Sequence, residues 1–597
     1  MSQSPRGKIA SLVLFVARHP KRTLIATAIA FALSLTFLGA GYLLDDRLHT
    51  YILDGNSLAG GPRGAWDLYR FADGGDGVRQ ATREGIFPWW SSPELKFAFF
   101  RPIPSLWRAA DHYLWGESAV IPHLEAALVF ALVVIVAARA YGKVVGGAAA
   151  GIATLMFAID DAHGTVIAWI ANRYALLAAL FGFASLLLFF PRWSGNAGET
   201  SHRRTNPFDS VISAALFGIA LFCGEPAIGI FGYVVAAAWF DPRGRRAGLI
   251  SMAPHTVVFA VWAITYRTLG YGAAGSDFYV DPVQSPVAFA KALVERLPRL
   301  TLAQLAVPPS EMWGLFPEAG RPIYAVVTIA VSAAILIAVL RVTRSHPASK
   351  ILAWGALLAA IPACATNSAD RLLLIPGFGA FGLIALFLER VWETASAPRG
   401  KRVLAGFFVA VHFVLAPVLL PVSTWNFMKT FGGFVERGVA SMPTDAKLAE
   451  QHLVVVTAPD VLLTNYVMLE TLMADGPKPL GGCILTSQDR GTATIERTGD
   501  RTYVLTNPAG QNGGPFGGLY GNGRLRVGDT FDTNVMTVRV LEMGVEDLPT
   551  AIQFDFHAPL DEHRWIVWKG RGFAEIPTLA MGERLEIPST PFFEALQ

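Results

Sequence analysis

The sequence predicts a polytopic membrane helix bundle followed by a β-rich domain outside the membrane. Apolar residues make up 53% of the 597 and charged residues only 16%, where a soluble chain carries about 25% charge; mean hydropathy is +0.41. Long apolar runs fill the first two thirds of the chain. Beyond Val422 they give way to short β-prone runs broken by Gly, Pro, Asn and Asp.

The apolar runs fall at 23–44, 118–138, 144–159, 165–190, 208–223, 226–240, 249–268, 322–340, 351–366, 371–388 and 403–422. They predict about eleven passes, the shorter ones tilted or buried within the bundle. The first is too long for a secretory h-region and lacks a clear A-x-A site, so it reads as a retained anchor. Its leading flank is basic (Arg18, Lys21, Arg22), which places the N-terminus in the cytoplasm. Loops 139–143, 192–204, 243–246, 341–350 and 390–402 then fall inside, and all are basic. The loops assigned to the outside, 45–117, 160–164, 224–226, 269–321 and 367–370, hold acids and aromatics.

A transmembrane domain over 1–430 is therefore expected, with two long outer loops, 45–117 and 269–321. The first carries Trp66, Trp89, Trp90, Trp107 and Trp115 and is expected to form interfacial helices with its aromatics at headgroup depth. The second, with Pro308, Pro309, Trp313 and Pro317, is expected to cap a cavity. An odd number of passes puts residues 440–597 outside, about 150 residues and enough for a separate core. Strands are expected at 453–457, 502–505, 535–540, 552–556 and 564–568, with turns at Gly481-Gly482, Asn512-Gly513-Gly514 and Gly521-Asn522-Gly523. His557 and His563 lack ligand spacing, and Cys223, Cys364 and Cys483 are too scattered for a zinc site or disulfide framework. A net charge of +3, spread between apolar runs, argues against a nucleic-acid partner.

Charges within or beside apolar helices usually face a cavity or a partner. Here they gather at the predicted outer ends: Asp45-Asp46, Arg101, Asp111-His112, His123 and Glu125, Asp160-Asp161 with His163, Arg173, Glu225, and Asp370-Arg371. As plain structural pairs, Arg173 would meet Asp161 or Glu225, and Asp370 would meet Arg371. As a cavity lining they suit a lipid-linked phosphate sugar. Arginine binds a phosphate leaving group through its planar fork, and a carboxylate can take the proton of an attacking hydroxyl. A neighbouring acid would raise the pKa of that base. Alternatively the two acids would hold a divalent cation, Mg²⁺ or Mn²⁺, on the phosphate.

Several stretches follow one family in order. Asp45-Asp46 after the first helix resembles the acidic motif in the first outer loop of GT-C membrane glycosyltransferases. Phe100-Arg101-Pro102, Asp111 to Gly116 and Pro122-His123-Leu124 are similar to a region of the protein O-mannosyltransferase relatives with tetratricopeptide repeats and of their bacterial homologues. So are Phe157 to His163, Ala168 to Arg173, Cys223 to Pro226 and Ala369 to Pro376. The resemblance implies a GT-C-like bundle and inverting transfer of a sugar from a polyprenyl-phosphate donor to an acceptor hydroxyl at the outer face. It implies Asp46 or Asp45 as base, and Arg101, His163, Arg173, Glu225, Arg371 and Asp161 around the donor phosphate. The chain departs from the family with Asp160-Asp161 where His-Pro is common, Gly224 where a Lys precedes the acid, and a β domain in place of the repeats. The expected setting is a bacterial inner membrane with a periplasmic C-terminal domain and a protein, glycan or lipid acceptor. A lipid-linked sugar transporter or flippase and a non-catalytic membrane scaffold are the alternatives. No internal repeat of broken helices supports a transporter.

Overall fold

The structure, a computed structural model, describes residues 7–58, 61, 63–190, 207–316, 320–521, 525–544 and 547–597. The basic loop at 192–204, Pro317 and the turn at Asn522-Gly523 lie outside the described residues. The chain divides into two compact units. One comprises 1–42, 100–269 and 285–427; the other comprises 43–99, 270–284 and 428–597.

The first unit is helical, and each of the eleven apolar runs carries a helix. Among the described residues, six segments are long and apolar enough to cross a membrane: Val120–Val144, Ile170–Phe189, Arg245–Thr268, Arg321–Thr343, Asp370–Glu393 and Arg399–Ala440. The chain is thus an integral membrane protein by the length and composition of its helices. The runs at 23–44, 144–159, 208–223, 226–240 and 351–366 yield shorter helices. Thirteen residues, as in Gly147–Ile159, rise only about 20 Å, against about 30 Å of hydrocarbon. That helix is interior: every residue from Ala148 to Ile159 is buried. The first run is not one crossing helix over 23–44. Helix Arg22–Ser34 tightens into a 3-10 turn at Leu35–Phe37 and ends, and the chain is irregular through Leu43.

Small residues set the spacing inside this bundle. A side chain at Gly355 would collide with the ring of Tyr233. The Tyr233 hydroxyl donates toward the carbonyls of Ile375 and Pro376, each at 3.1 Å, and accepts from the Gly379 amide at 2.8 Å. A buried hydroxyl is satisfied while three helices pack around one ring. The loop 269–321 contains a twenty-residue helix, Pro286–Leu305, which the scattered prolines and charges of that loop concealed.

Among the described residues, the second unit holds three sheets. Strands Arg70–Asp73, Lys96–Ala98 and Gly272–Ala274 form a small antiparallel sheet. The six-stranded sheet is antiparallel, in the order 584–588, 492–497, 502–506, 549–556, 536–543, 530–532. The third runs 572–575, 563–569, 452–458, 481–487, and its last three strands are parallel. All five expected strands are present.

The tail is β-rich as expected, with helix Val461–Met473 linking the parallel strands 452–458 and 481–487. Two expectations change. Gly481-Gly482 opens a strand instead of a turn, because Met468 of that helix occupies the space where a side chain at 482 would stand. Trp89 and Trp90 are 2% exposed rather than lodged at headgroup depth. The Trp89 indole donates to the Leu485 carbonyl at 2.8 Å and packs on Phe531 and Phe554.

Asp460 caps the helix Val461–Met473, its carboxylate accepting from the Leu463 amide at 2.9 Å. Complete burial raises its pKa to about 7, although backbone amides oppose the rise. A raised carboxyl pKa adds stability that is full below the unfolded value and lost as pH climbs through about 7. Asp460→Asn keeps a cap without the buried charge. Its unfolding midpoint, followed by tryptophan fluorescence of the full chain, should exceed wild type at pH 8 and lose that advantage at pH 4.

Candidate functional site

In the first unit, the charged residues at helix ends form three arginine-centred groups. Arg101 precedes helix Pro102–Trp115, where Pro102 at the first helical position needs no amide partner. Its Nε donates to Glu225 Oε2 at 2.8 Å, and its guanidinium lies 3.6 Å from the centre of the Tyr174 ring. Glu225 stands at the break between helices Pro207–Cys223 and Ile228–Trp239. A side chain at Gly224 would press on Tyr174, so this position leaves room for the Arg101–Tyr174 stack.

Arg173 opens helix Arg173–Phe189 and is 3% exposed. Its Nη1 sits 2.8 Å from Asp111 and 3.0 Å from Glu125, and Nη2 donates to the Pro122 carbonyl at 3.2 Å. Its ion partners are therefore Asp111 and Glu125, not Asp161 or Glu225. The Trp107 indole also donates to Glu125, at 2.7 Å. Burial raises the Asp111 carboxyl to about 7 against the pull of Arg173, and the neighbouring Glu125 adds to the rise. Arg371 donates to the amide oxygen of Asn172 at 3.1 Å and lies 5.3 Å from the Trp169 ring centre.

Asp370 does not pair with Arg371. Its Oδ1 accepts from the amide and hydroxyl of Ser310, both at 2.8 Å, while its own amide donates to Glu311 at 2.7 Å. Asp160, Asp161 and Asp370 line one small cleft with His412. Burial, reinforced by the charge of Asp370, lifts Asp161 to about 6 and Glu311 to about 8. These are values at which a carboxyl exchanges protons near neutrality. Glu311 and His412 escaped the sequence reading. Glu311 lay in a loop without a motif, while His412 lay in an apolar run. His412 sits in a π-helical turn at Val411–Leu415, a kind of irregularity frequent at functional sites. His163 is 1% exposed and packed between Phe157 and Phe130, ring centres 4.7 and 5.6 Å away.

Asp45 and Asp46 belong to the second unit, in the first turn of helix Asp45–Leu53, where a carboxylate meets the positive end of the helix dipole. Asp46 is fully buried and accepts from the Leu43 amide at 2.9 Å, fixing the turn that starts the helix. Leu44 between them has φ +46°, a strained setting for a leucine. Asp45 is half-buried and accepts a hydrogen bond from the Tyr466 hydroxyl. Among the described residues no three His, Cys, Asp or Glu side chains converge as a metal site.

Removing the guanidinium of Arg173 would leave two carboxylates facing each other in a buried place. Breaking such a pair costs about 3–5 kcal/mol. Arg173→Gln should lower the thermal unfolding midpoint in detergent markedly. Arg173→Lys should recover only part, since one ammonium does not reproduce the fork that serves two acids and a carbonyl.

No family model and no curated protein sequence matches the chain. Among solved structures, it is similar to the apo oligosaccharyltransferase of Archaeoglobus fulgidus over 78% of its length, with 12% identity and a TM-score of 0.44; the match covers 65% of that chain, just under two thirds. The same organism's oligosaccharyltransferase AglB, in complex with an inhibitory peptide and a dolichol-phosphate, gives 10% identity, a TM-score of 0.39 and coverage of 75% and 63%. ArnT from Cupriavidus metallidurans bound to undecaprenyl phosphate gives 13%, 0.36, and coverage of 74% and 84%. At these identities and scores the likeness bears on neither substrate nor mechanism.

Proposed function

We propose that the protein transfers a sugar from a polyprenyl-phosphate donor to an acceptor hydroxyl at the outer membrane face. In the proposed setting, the N-terminus lies in the cytoplasm of a bacterial cell and the C-terminal domain in the periplasm. The observation that carries the reading is the set of arginines at helix ends in the membrane unit, each beside an aromatic ring. Two of the three are matched by carboxylates, whereas the described hydrogen bond of Arg371 goes to a neutral amide. Arg371 is thus the residue assigned to the leaving phosphate, and Arg101 and Arg173 position it through their paired neighbours. The proposed base is Asp45 rather than Asp46, because Asp46 is buried and committed to the Leu43 amide.

The proposed reaction is a single displacement. The acceptor O–H gives its proton to the Asp45 carboxylate, and the oxygen bonds to the anomeric carbon. The bond from that carbon to the phosphate oxygen breaks on the opposite face, the electron pair leaves with the lipid phosphate, and the configuration inverts.

The test is transfer or hydrolysis by the purified full chain on a panel of polyprenyl-phosphate monosaccharides, with and without chelator. Asp45→Asn should lower turnover about 10²–10⁴-fold, the usual loss for a general base, with the unfolding midpoint near wild type. Asp46→Asn should lower the midpoint as well, since it loosens the turn at Leu43. Arg371→Gln should raise KM for the donor or abolish turnover. No turnover and no donor binding by folded wild-type protein would favour the scaffold or transporter.

A further inference from the structure

Helix Pro286–Leu305 carries Arg296 and Arg299, three residues apart and so on one helical face. Both are nearly buried, at 8% and 6% exposure. Arg296 donates to the Cys364 carbonyl and to Asn367 Oδ1, each at 3.0 Å, so its acceptors are neutral. The Arg299 guanidinium lies 3.3 Å from the centre of the Trp313 ring, and Arg321 approaches the same indole at 5.8 Å. Two cations therefore approach one indole ring, with Arg296 one helical turn from the closer of them.

Arg299 has little to balance it. Its buried Nε and Nη2 have no hydrogen-bond acceptor among the described residues. Glu295 comes only to 3.6 Å, with a side chain 63% exposed, so water screens most of that attraction. Burial pulls the Arg299 pKa down to about 10, and Arg296 and Arg321 push the same way against Glu295. Stacking on tryptophan leaves the N–H edge of a guanidinium available, the geometry that takes phosphate oxygens two at a time. A buried charge with idle donors is costly unless an anion completes it.

The surroundings say what carries the anion. Arg321 is the first residue of the span Arg321–Thr343, of mean hydropathy 2.7 and only 17% buried. Ile323, Val326 and Val327 are 69%, 66% and 50% exposed within its first two turns. A headgroup held at Arg299 would direct its hydrocarbon along that face. We propose that Arg299, stacked on Trp313 and flanked by Arg296 and Arg321, binds the phosphate of a membrane lipid whose chains lie against the 321–343 helix. This site involves none of the residues assigned to sugar transfer and stands whether or not that reading holds.

The test uses the full chain, delipidated in neutral detergent, with binding read by native mass spectrometry. The probes are phosphatidic acid, a polyprenyl monophosphate, phosphatidylcholine and inorganic phosphate. Wild type should bind one of the two anionic lipids about ten-fold more tightly than Arg299→Gln does, as expected for losing charge-assisted hydrogen bonds, and Arg299→Lys should fall between. Which of the two lipids binds identifies the source of the phosphate. In lipid-free detergent, Arg299→Gln should melt no lower than wild type, and added anionic lipid should raise only the wild-type midpoint. Equal lipid binding by wild type and Arg299→Gln would overturn the proposal. So would a lower melting point for that variant without lipid, which marks a structural arginine, or inorganic phosphate binding as tightly as the lipids.

Discussion

Charge withdrawn from water must meet opposite charge or a full set of hydrogen bonds, and this constraint organises the helical unit. Arg173 shows it most plainly. One guanidinium, almost wholly buried, holds two carboxylates and a carbonyl drawn from helices Pro102–Trp115 and Val120–Val144. Those helices and the one that Arg173 opens are thereby tied at their ends. Arg101 and Glu225 do the same for the break at Gly224. Between such knots the bundle is held by close packing of small and aromatic residues, as around Tyr233 and Gly355. In an apolar solvent, packing and polar pairing replace the hydrophobic effect as the force between helices.

The same constraint separates structural charges from those left open to chemistry. Arg173 has its neutralisation built in, so it serves the fold first. Among the described residues, Arg371 and Arg299 do not have comparable carboxylate partners in hydrogen-bond contact, and both lie against tryptophan. The carboxyls Asp161 and Glu311 are raised by burial and by Asp370, to about 6 and about 8, so near neutral pH Glu311 holds a proton that an ordinary acid would have shed, and Asp161 gives its proton up just below it. Within this unit, unbalanced cations and proton-holding acids are the groups whose state a bound anion would change.

The second unit uses a different device. The segment 43–99, which reads as a membrane-surface loop, contributes its own helix and strands and buries Trp89 in the company of Leu485, Phe531 and Phe554. The acids at its start are held by that unit: Asp46 by the Leu43 amide, Asp45 by Tyr466 from the helix Val461–Met473. A tyrosine about 420 residues away in sequence thus contacts the first candidate base.

Some of this was legible from the sequence. The eleven apolar runs are helices because hydropathy is a local property, and the five strands show because alternation and turn residues are local too. The position of Asp370 and Arg371 at a helix end follows from the same run boundaries, whereas Arg173 lies well inside the run 165–190 until the helix is seen to break before it, and Arg101 lies in the loop 45–117, where no helix was expected to start at Pro102. Pairing was not legible, because it is set by which helices lie side by side: Arg173 chose Asp111 and Glu125, and Asp370 chose Ser310 and Glu311. Nor could the helix Pro286–Leu305 and its arginines be found, since two prolines and scattered charges mask an amphipathic pattern. Gly482 reads as a turn until Met468 is seen to need its space. The sequence by itself determined a membrane bundle, a β-rich tail and a charged outer boundary; only the tertiary structure decided which of those charges neutralise one another, because electrostatic partnership depends on distance in space and burial, and neither is encoded in spacing along the chain.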